Sequence, residues 1–200
     1  MNFPYRFKVV FLSFLAVFIC YIDRVNISVA IIPMQQQFGW SESQVGIILG
    51  SFYFGYMITM TLGGYLADKY GGKRVLGYGL LIWSFFTIIT PVFAYSGLWF
   101  LILIRVLMGL GEGITFPSWH SIYARWIPFE ERTRAIAVTN SGISFGTVFG
   151  YLATAIIIAQ YSWEWVFYSF GILGIFWYFF WNRSVTSYPE DNKNLSLIHI

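Results

Sequence analysis

Four ionisable residues lie inside long apolar runs of this chain: Asp23 and Arg24 in "YIDRVN", and Arg105 and Glu112 in "RVLMGLGEGITFP". A charge at the centre of a bilayer costs about 2.5–3.5 kcal/mol on insertion scales. Four of them in one small chain therefore point to a polar cavity or to pairing between helices. Arginine presents a planar fork of donors that matches a carboxylate or a phosphate. Two arginines at one depth would suit an anion. A buried carboxylate is pulled towards the neutral form by desolvation and towards the charged form by a neighbouring arginine. Glu112 beside such arginines is a group whose protonation can depend on what the cavity holds.

Spacing refines this. Arg105 and Glu112 are seven residues apart, two helical turns, and so share a face with Gly109 between them. Tyr21, Arg24 and Ser28 form a stripe, whereas Asp23 is turned about 100° from Arg24 and is expected to face a neighbouring helix. At a rise of ~1.5 Å per residue, Asp23 and Arg24 fall roughly 5 Å, and Arg105 roughly 7 Å, to the outer side of mid-membrane. Glu112 falls near the midplane.

The elements that must position these groups are membrane spans. The chain has 200 residues, 58% hydrophobic and 10% charged, against about 25% charged in a soluble domain. Six segments approach the ~20 apolar residues that a bilayer requires, at about 8–32, 45–66, 75–95, 98–122, 134–160 and 163–182. The fold class expected is an all-α membrane protein of six transmembrane helices. Of twelve Lys and Arg, two (Arg24, Arg105) lie inside spans. The other ten are Arg6, Lys8, Lys69, Lys73, Arg74, Arg125, Arg132, Arg134, Arg183 and Lys193. All ten fall on one side of a six-span topology. The positive-inside rule then puts both termini in the cytoplasm. A plasma or bacterial inner membrane is expected rather than an organelle membrane. The first apolar run is too long for a signal peptide and carries Asp23 and Arg24. The single cysteine, Cys20, permits no internal disulfide and is expected to be plain packing.

The segment "GGYLADKYGGKR" resembles the loop between spans two and three of the major facilitator superfamily. Gly64, Asp68, Lys69, Gly71 and Arg74 fall on the motif. The resemblance implies a conformational gating loop whose aspartate contacts the second half of the transporter. "YIDRVNISVA", the stretch from Arg105 to Ala135 and "SWEWVFYSFGILGIFWYFFW" resemble the anion:cation symporter branch. That branch includes sialic acid, phosphate and vesicular glutamate carriers and bacterial sugar-acid carriers. By this resemblance the six spans are the N-terminal bundle of a major facilitator fold. Arg24 and Arg105 would bind the substrate's acid group, with Tyr21, Tyr56 and Asn140 lining the site. Glu112 and Asp23 would couple protons. The function implied is secondary active transport of an organic anion such as a sugar acid by proton symport, with a sodium-coupled phosphate or anion carrier as the alternative. Leu49 stands where vesicular glutamate carriers have a histidine. "SGISFGTVFG" lacks the glycine-proline pattern of drug antiporters, and Gly142, Gly146 and Gly150 instead suggest a close-packing helix face.

Catalysis is not expected. No intramembrane-protease serine motif, zinc-ligand spacing or nucleotide loop occurs, so an intramembrane enzyme is a remote alternative. Neither cofactor nor metal is expected. The partners expected are a small organic anion, protons or sodium, the lipid bilayer and the missing C-terminal six-helix half, with no nucleic acid. His120 is expected to be interfacial packing. Glu130 and Glu131 with Arg132 and Arg134 form either a solvated cluster or a gate salt bridge. Residues 1–182 are expected to be the bundle and 183–194 the start of a cytoplasmic linker. Residues 195–200, "LSLIHI", match the translation of a transposase end used in sequencing libraries. They are expected to be adaptor read-through on a truncated chain, which would leave Asp68 without its partner.

Overall fold

In the computed structural model, residues 5–189 are described, and all regular structure among them is helical. The expected linker beyond Pro189 and the expected artefact at 195–200 lie outside the described residues, as does Lys193. The helices are α1 (Tyr5–Phe38), α2 (Glu42–Tyr70), α3 (Gly72–Ser96), α4 (Leu98–Glu112), α5 (Thr115–Trp126), α6 (Phe129–Gln160) and α7 (Trp163–Ser184). They form six spans, because α4 and α5 together make the fourth.

Five of the spans are both long and apolar enough to cross a membrane. The sixth, α7, has 22 residues. At ~1.5 Å per residue it covers about 33 Å, enough for a bilayer core. Half of its residues are Trp, Tyr or Phe, which hydropathy scales score below aliphatic side chains.

The connections are very short. Gly71 alone joins α2 to α3, and Gly97 alone joins α3 to α4. Their φ values of 86° and 129° lie in the region that glycine enters without a Cβ clash. Ser41 opens α2 with a capping box, accepting from Gln44 N while Gln44 caps it in return.

The hydrogen-bonded helix of the fourth span is interrupted between Glu112 and Thr115, although Gly113 and Ile114 keep right-handed helical dihedrals. Pro117 has no N–H for the Gly113 carbonyl four residues earlier, and its ring crowds that carbonyl. The discontinuity therefore falls one turn before the proline, immediately after Glu112.

Helix packing follows the small residues. On α6, Gly142, Gly146 and Gly150 pack on Phe14, Phe18 and Ile22 of α1, as their spacing suggested. Gly55 and Gly109 bring α2 and α4 into backbone contact: a Cβ on Gly109 would overlap the Phe52 carbonyl oxygen and sit 2.8 Å from Tyr56 N.

The two ends of the bundle differ in polarity. At one end Arg6 pairs with Glu131 at 2.8 Å, and Lys73 Nζ donates to the Asn182 carbonyl at 3.0 Å. Apart from Arg24 and Arg105, the basic side chains of the described residues gather there. At the other end the ties are uncharged or acidic. Trp163 Nε1 donates to Gln37 Oε1 at 2.7 Å, and Tyr95 Oη donates to Glu164 at 2.6 Å. An apolar cluster around Leu76, Trp119 and Trp181 fills the basic end. Another, around Ile31, Leu101 and Trp163, fills the opposite end. Asp23, Arg24, Arg105 and Glu112 occupy the layer between the two clusters.

Candidate functional site

The centre of that layer is an ion pair between α1 and α4. Arg24 Nε donates to Glu112 Oε1 at 2.9 Å, and Arg24 Nη2 donates to the same oxygen. Cys20 Sγ donates to that oxygen at 3.0 Å. Three donors thus converge on one carboxylate oxygen. The Glu112 side chain is 1% exposed and that of Arg24 15%. The partner of Glu112 is thus an arginine on another helix, while Arg105, seven residues before it on its own helix, makes no ion pair with it.

Aromatic rings hold the guanidiniums. Arg24 lies 4.7 Å from the ring centroids of both Tyr21 and Tyr56, and 5.5 Å from that of Phe52. Its Nη1 also donates to Tyr21 Oη at 3.5 Å. Arg105 lies over the same Phe52 ring at 5.0 Å. The expected convergence of the two arginines is therefore present, with Phe52 between them. The Gly55–Gly109 contact brings this about, because it presses the Phe52–Tyr56 turn of α2 against α4.

Arg105 differs from Arg24 in one respect. It is 2% exposed and forms no ion pair among the described residues. Its polar contact is Met108 Sδ, 4.0 Å from Nη1, and its buried Nε has no hydrogen-bond partner. Taking one partner from a buried pair costs about 3–5 kcal/mol, because a charge is left uncompensated. An uncompensated buried guanidinium is suited to receive an anion.

Asp23 faces a neighbouring helix, as expected. It is fully buried and accepts from Trp83 Nε1 on α3 at 3.0 Å. Its Oδ1 has no partner, nor does either amide atom of Asn26 one turn later. Asn140 is not part of the cluster. Its Oδ1 is buried without a partner. It precedes Gly150, the α6 residue packed on Ile22, by ten positions, or about 15 Å towards the basic end.

The residues expected to form a gating loop surround the α2–α3 turn. The partner expected for Asp68 belongs to the second half; within this half it accepts from Ser121 Oγ at 3.3 Å and lies 3.8 Å from Arg125 Nη2, both on α5. Its side chain is 75% exposed, so the contact is loose. Lys69 Nζ lies 5.6 Å and 5.3 Å from the rings of Tyr65 and Tyr70. Arg74 is exposed, and nothing lies within 4 Å of the Cβ position of Gly64. The charges around Glu131 do not pair with one another. Glu131 bonds Arg6, while Arg132 donates to the Ala124 and Ile127 carbonyls at 3.0 and 3.3 Å and so caps α5. His120 is exposed, stacks on Trp119 and contacts the Phe116 carbonyl through Nδ1, in keeping with interfacial packing.

Three contributors escaped sequence reasoning. Cys20 is not plain packing but a donor to Glu112. Its position four residues before Arg24 is the signal that could have found it. Phe52 and Trp83 carried no such signal, because their roles depend on how α2 and α3 are rotated against their neighbours.

A polytopic helical bundle with cations buried in a middle layer is the class this geometry defines. The Major Facilitator Superfamily pattern matches residues 13–197, and the chain belongs to that family. Over 195 residues it is 45% identical to the chloroplastic ascorbate transporter of Arabidopsis thaliana, covering 98% of this chain and 36% of the relative. It is 44% identical to the chloroplastic sodium-dependent phosphate transport protein 1 of the same plant, covering 97% and 38%. It is 36% identical to human sialin, covering 96% and 45%. The chain thus spans between 36% and 45% of the length of these relatives. Among solved structures, it superposes on a bacterial homologue of the human lysosomal transporter Spinster with TM-score 0.87 at 22% identity, covering 97% of this chain and 47% of that one. For the D-xylose–proton symporter the TM-score is 0.78 at 18% identity, covering 93% and 49%. The expected family, anion-carrier resemblance and half-transporter coverage are borne out. The expected bacterial inner membrane finds no support among relatives whose names place them in chloroplasts.

Proposed function

We propose that this chain is the N-terminal half of a secondary active transporter that moves an organic anion together with protons. The observation that carries the reading is Arg105: a buried guanidinium with no counter-ion, sharing the Phe52 ring with Arg24. An anion arriving between the halves would find Arg105 unpaired and Arg24 held by Glu112. Protonating Glu112 would remove the charge that holds Arg24 and leave both guanidiniums to the anion. Proton and anion would then favour each other's binding, and that coupling is reciprocal. Co-binding of a proton with an anion is what symport requires. Tyr21 and Tyr56 would complete the pocket wall. Asp23, sealed against Trp83, would be a second proton site set back from the substrate. The gating loop around Asp68 would meet the second half. The basic end of the bundle would face the cytoplasm, or the stroma if the membrane is that of a chloroplast.

The relatives named as ascorbate, phosphate and anion carriers support an anionic cargo, and one of them is named as sodium-dependent. The test is uptake by the full-length protein in liposomes, with labelled ascorbate, phosphate, sugar acids and sialic acid under separate proton and sodium gradients. Arg105→Ala should weaken apparent affinity by at least about thirty-fold, from the ~2 kcal/mol lower bound for truncating a buried charged contact. Unchanged uptake in that variant would remove the anion-site assignment. Proton-driven accumulation that survives in Glu112→Gln would remove the coupling assignment. Accumulation driven by sodium alone would replace the proton.

A further inference from the structure

The bundle carries an apolar groove of about 450 Å³ between α1 and α7, away from the arginine layer. Its walls are Phe11, Leu15 and Ile19 on α1 and Leu173, Phe176 and Phe180 on α7. Lys8 and Ser184 complete its lining at the basic end of the bundle. The two helices run antiparallel, and Tyr5 Oη donates to the Ser184 carbonyl, so these two polar residues sit at the same end. Lys8 to Ile19 and Leu173 to Ser184 each span eleven residue steps, or about 16 Å. One leaflet of a ~30 Å hydrocarbon core is about 15 Å deep. The groove therefore runs from the interface of one leaflet to mid-membrane, apolar along its length and cationic at its mouth.

The mouth has no anion of its own. Neither Lys8 nor Arg183, the neighbour of Ser184, forms an ion pair among the described residues. The nearby Glu131 is engaged by Arg6. Phe11, Phe176 and Phe180 are exposed, so the slot is open along its side to whatever lies beside the helices.

We propose that this groove is a specific site for one anionic glycerophospholipid from the leaflet at the basic end. One acyl chain would lie between α1 and α7, and the phosphate would meet the Lys8 ammonium and the Ser184 hydroxyl. Basic pockets between membrane helices hold anionic headgroups in this way. The site is separate from the proposed anion path and would bind lipid whether or not that path carries substrate.

The test uses the full-length transporter, purified in mild detergent and titrated with phosphatidylglycerol or phosphatidylcholine of matched acyl chains. Bound lipid is counted by native mass spectrometry. One phosphatidylglycerol should be retained more tightly than phosphatidylcholine. Lys8→Gln should weaken phosphatidylglycerol about five-fold, the share of one basic contact, and weaken phosphatidylcholine, whose choline cation offsets its phosphate, by less. Leu15→Trp, which fills the slot, should weaken both lipids while the protein keeps its melting temperature. A photoactivatable acyl chain should label segments 8–19 and 173–184. Equal retention of the two lipids, indifference to Lys8→Gln, or labelling confined to other helices would each overturn the proposal. The last result is the one expected if the second half covers the groove.

Discussion

Replacing Glu112 with alanine is the sharpest perturbation of the charged layer. The Glu112 side chain is 1% exposed, and its Oε1 accepts from Arg24 Nε at 2.9 Å, from Arg24 Nη2 and from Cys20 Sγ. Charges about 4 Å apart at an effective dielectric near 20 attract by ~4 kcal/mol. Removing one partner of a buried pair costs about 3–5 kcal/mol, because the survivor stays desolvated. Arg24 keeps 15% of its side chain accessible, so the lower figure, ~3 kcal/mol, applies. Glu112→Ala should lower the unfolding free energy of the full-length transporter by that amount in denaturant titrations followed by tryptophan fluorescence. The double variant Arg24→Ala, Glu112→Ala removes both charges and should be less destabilised than Glu112→Ala alone. The coupling term of the double-mutant cycle isolates the pair. A single-variant loss within ~0.5 kcal/mol, the range of ordinary surface substitutions, or a coupling term near zero would refute the pairing argument.

Other expectations follow from the same contacts. Cys20→Ala removes one donor from a buried carboxylate and should cost about 1–2 kcal/mol, whereas Cys20→Ser keeps a donor and should cost less; equal losses in unfolding titrations would show the thiol to be packing only. Gly109→Ala drives a Cβ into the Phe52 carbonyl, so α2 must move from α4 and uptake should fall; Gly46→Ala, with nothing within 4 Å, is the control and should transport normally. Gly71→Ala puts a side chain at φ 86° and 2.9 Å from Ser187 Oγ, and should destabilise the α2–α3 hairpin by about 1–2 kcal/mol in the same titrations.

The spans were legible because a bilayer constrains sequence strongly. Twenty apolar residues and one-sided basic loops leave little freedom, and six spans follow. The span edges were less legible. α1 runs to Phe38, beyond the expected edge near residue 32, because Gln35 and Gln37 find partners in Glu42, Tyr95 and Trp163 at the far end. Tyr95 and Trp163 are distant in sequence, so hydropathy cannot register them. The interruption in the fourth span shows the same limit. Pro117 announced a perturbation, but its position follows from the hydrogen bond that the proline cannot make, one turn earlier.

The charged layer shows where periodicity stops informing. Helical spacing put Arg105 and Glu112 on one face and turned Asp23 towards another helix, and both hold. Spacing within a helix says nothing about which residue lies across from it. That depends on the rotation of α1 against α4, set by side chains along the whole contact. Hence two arginines that look alike in sequence have different electrostatic positions. Arg24 is paired across the interface with Glu112, and Arg105 forms no ion pair with any described residue. The asymmetry matters for coupling. Two arginines both paired would bind an anion only by breaking two ion pairs. Two arginines both free would bind it whatever the state of Glu112, and nothing would tie the anion to a proton. Under the proposed function, one paired and one free arginine would give an anion a first foothold at Arg105. The second would be conditional on the charge of Glu112, and that conditional contact would be the physical content of a symport step.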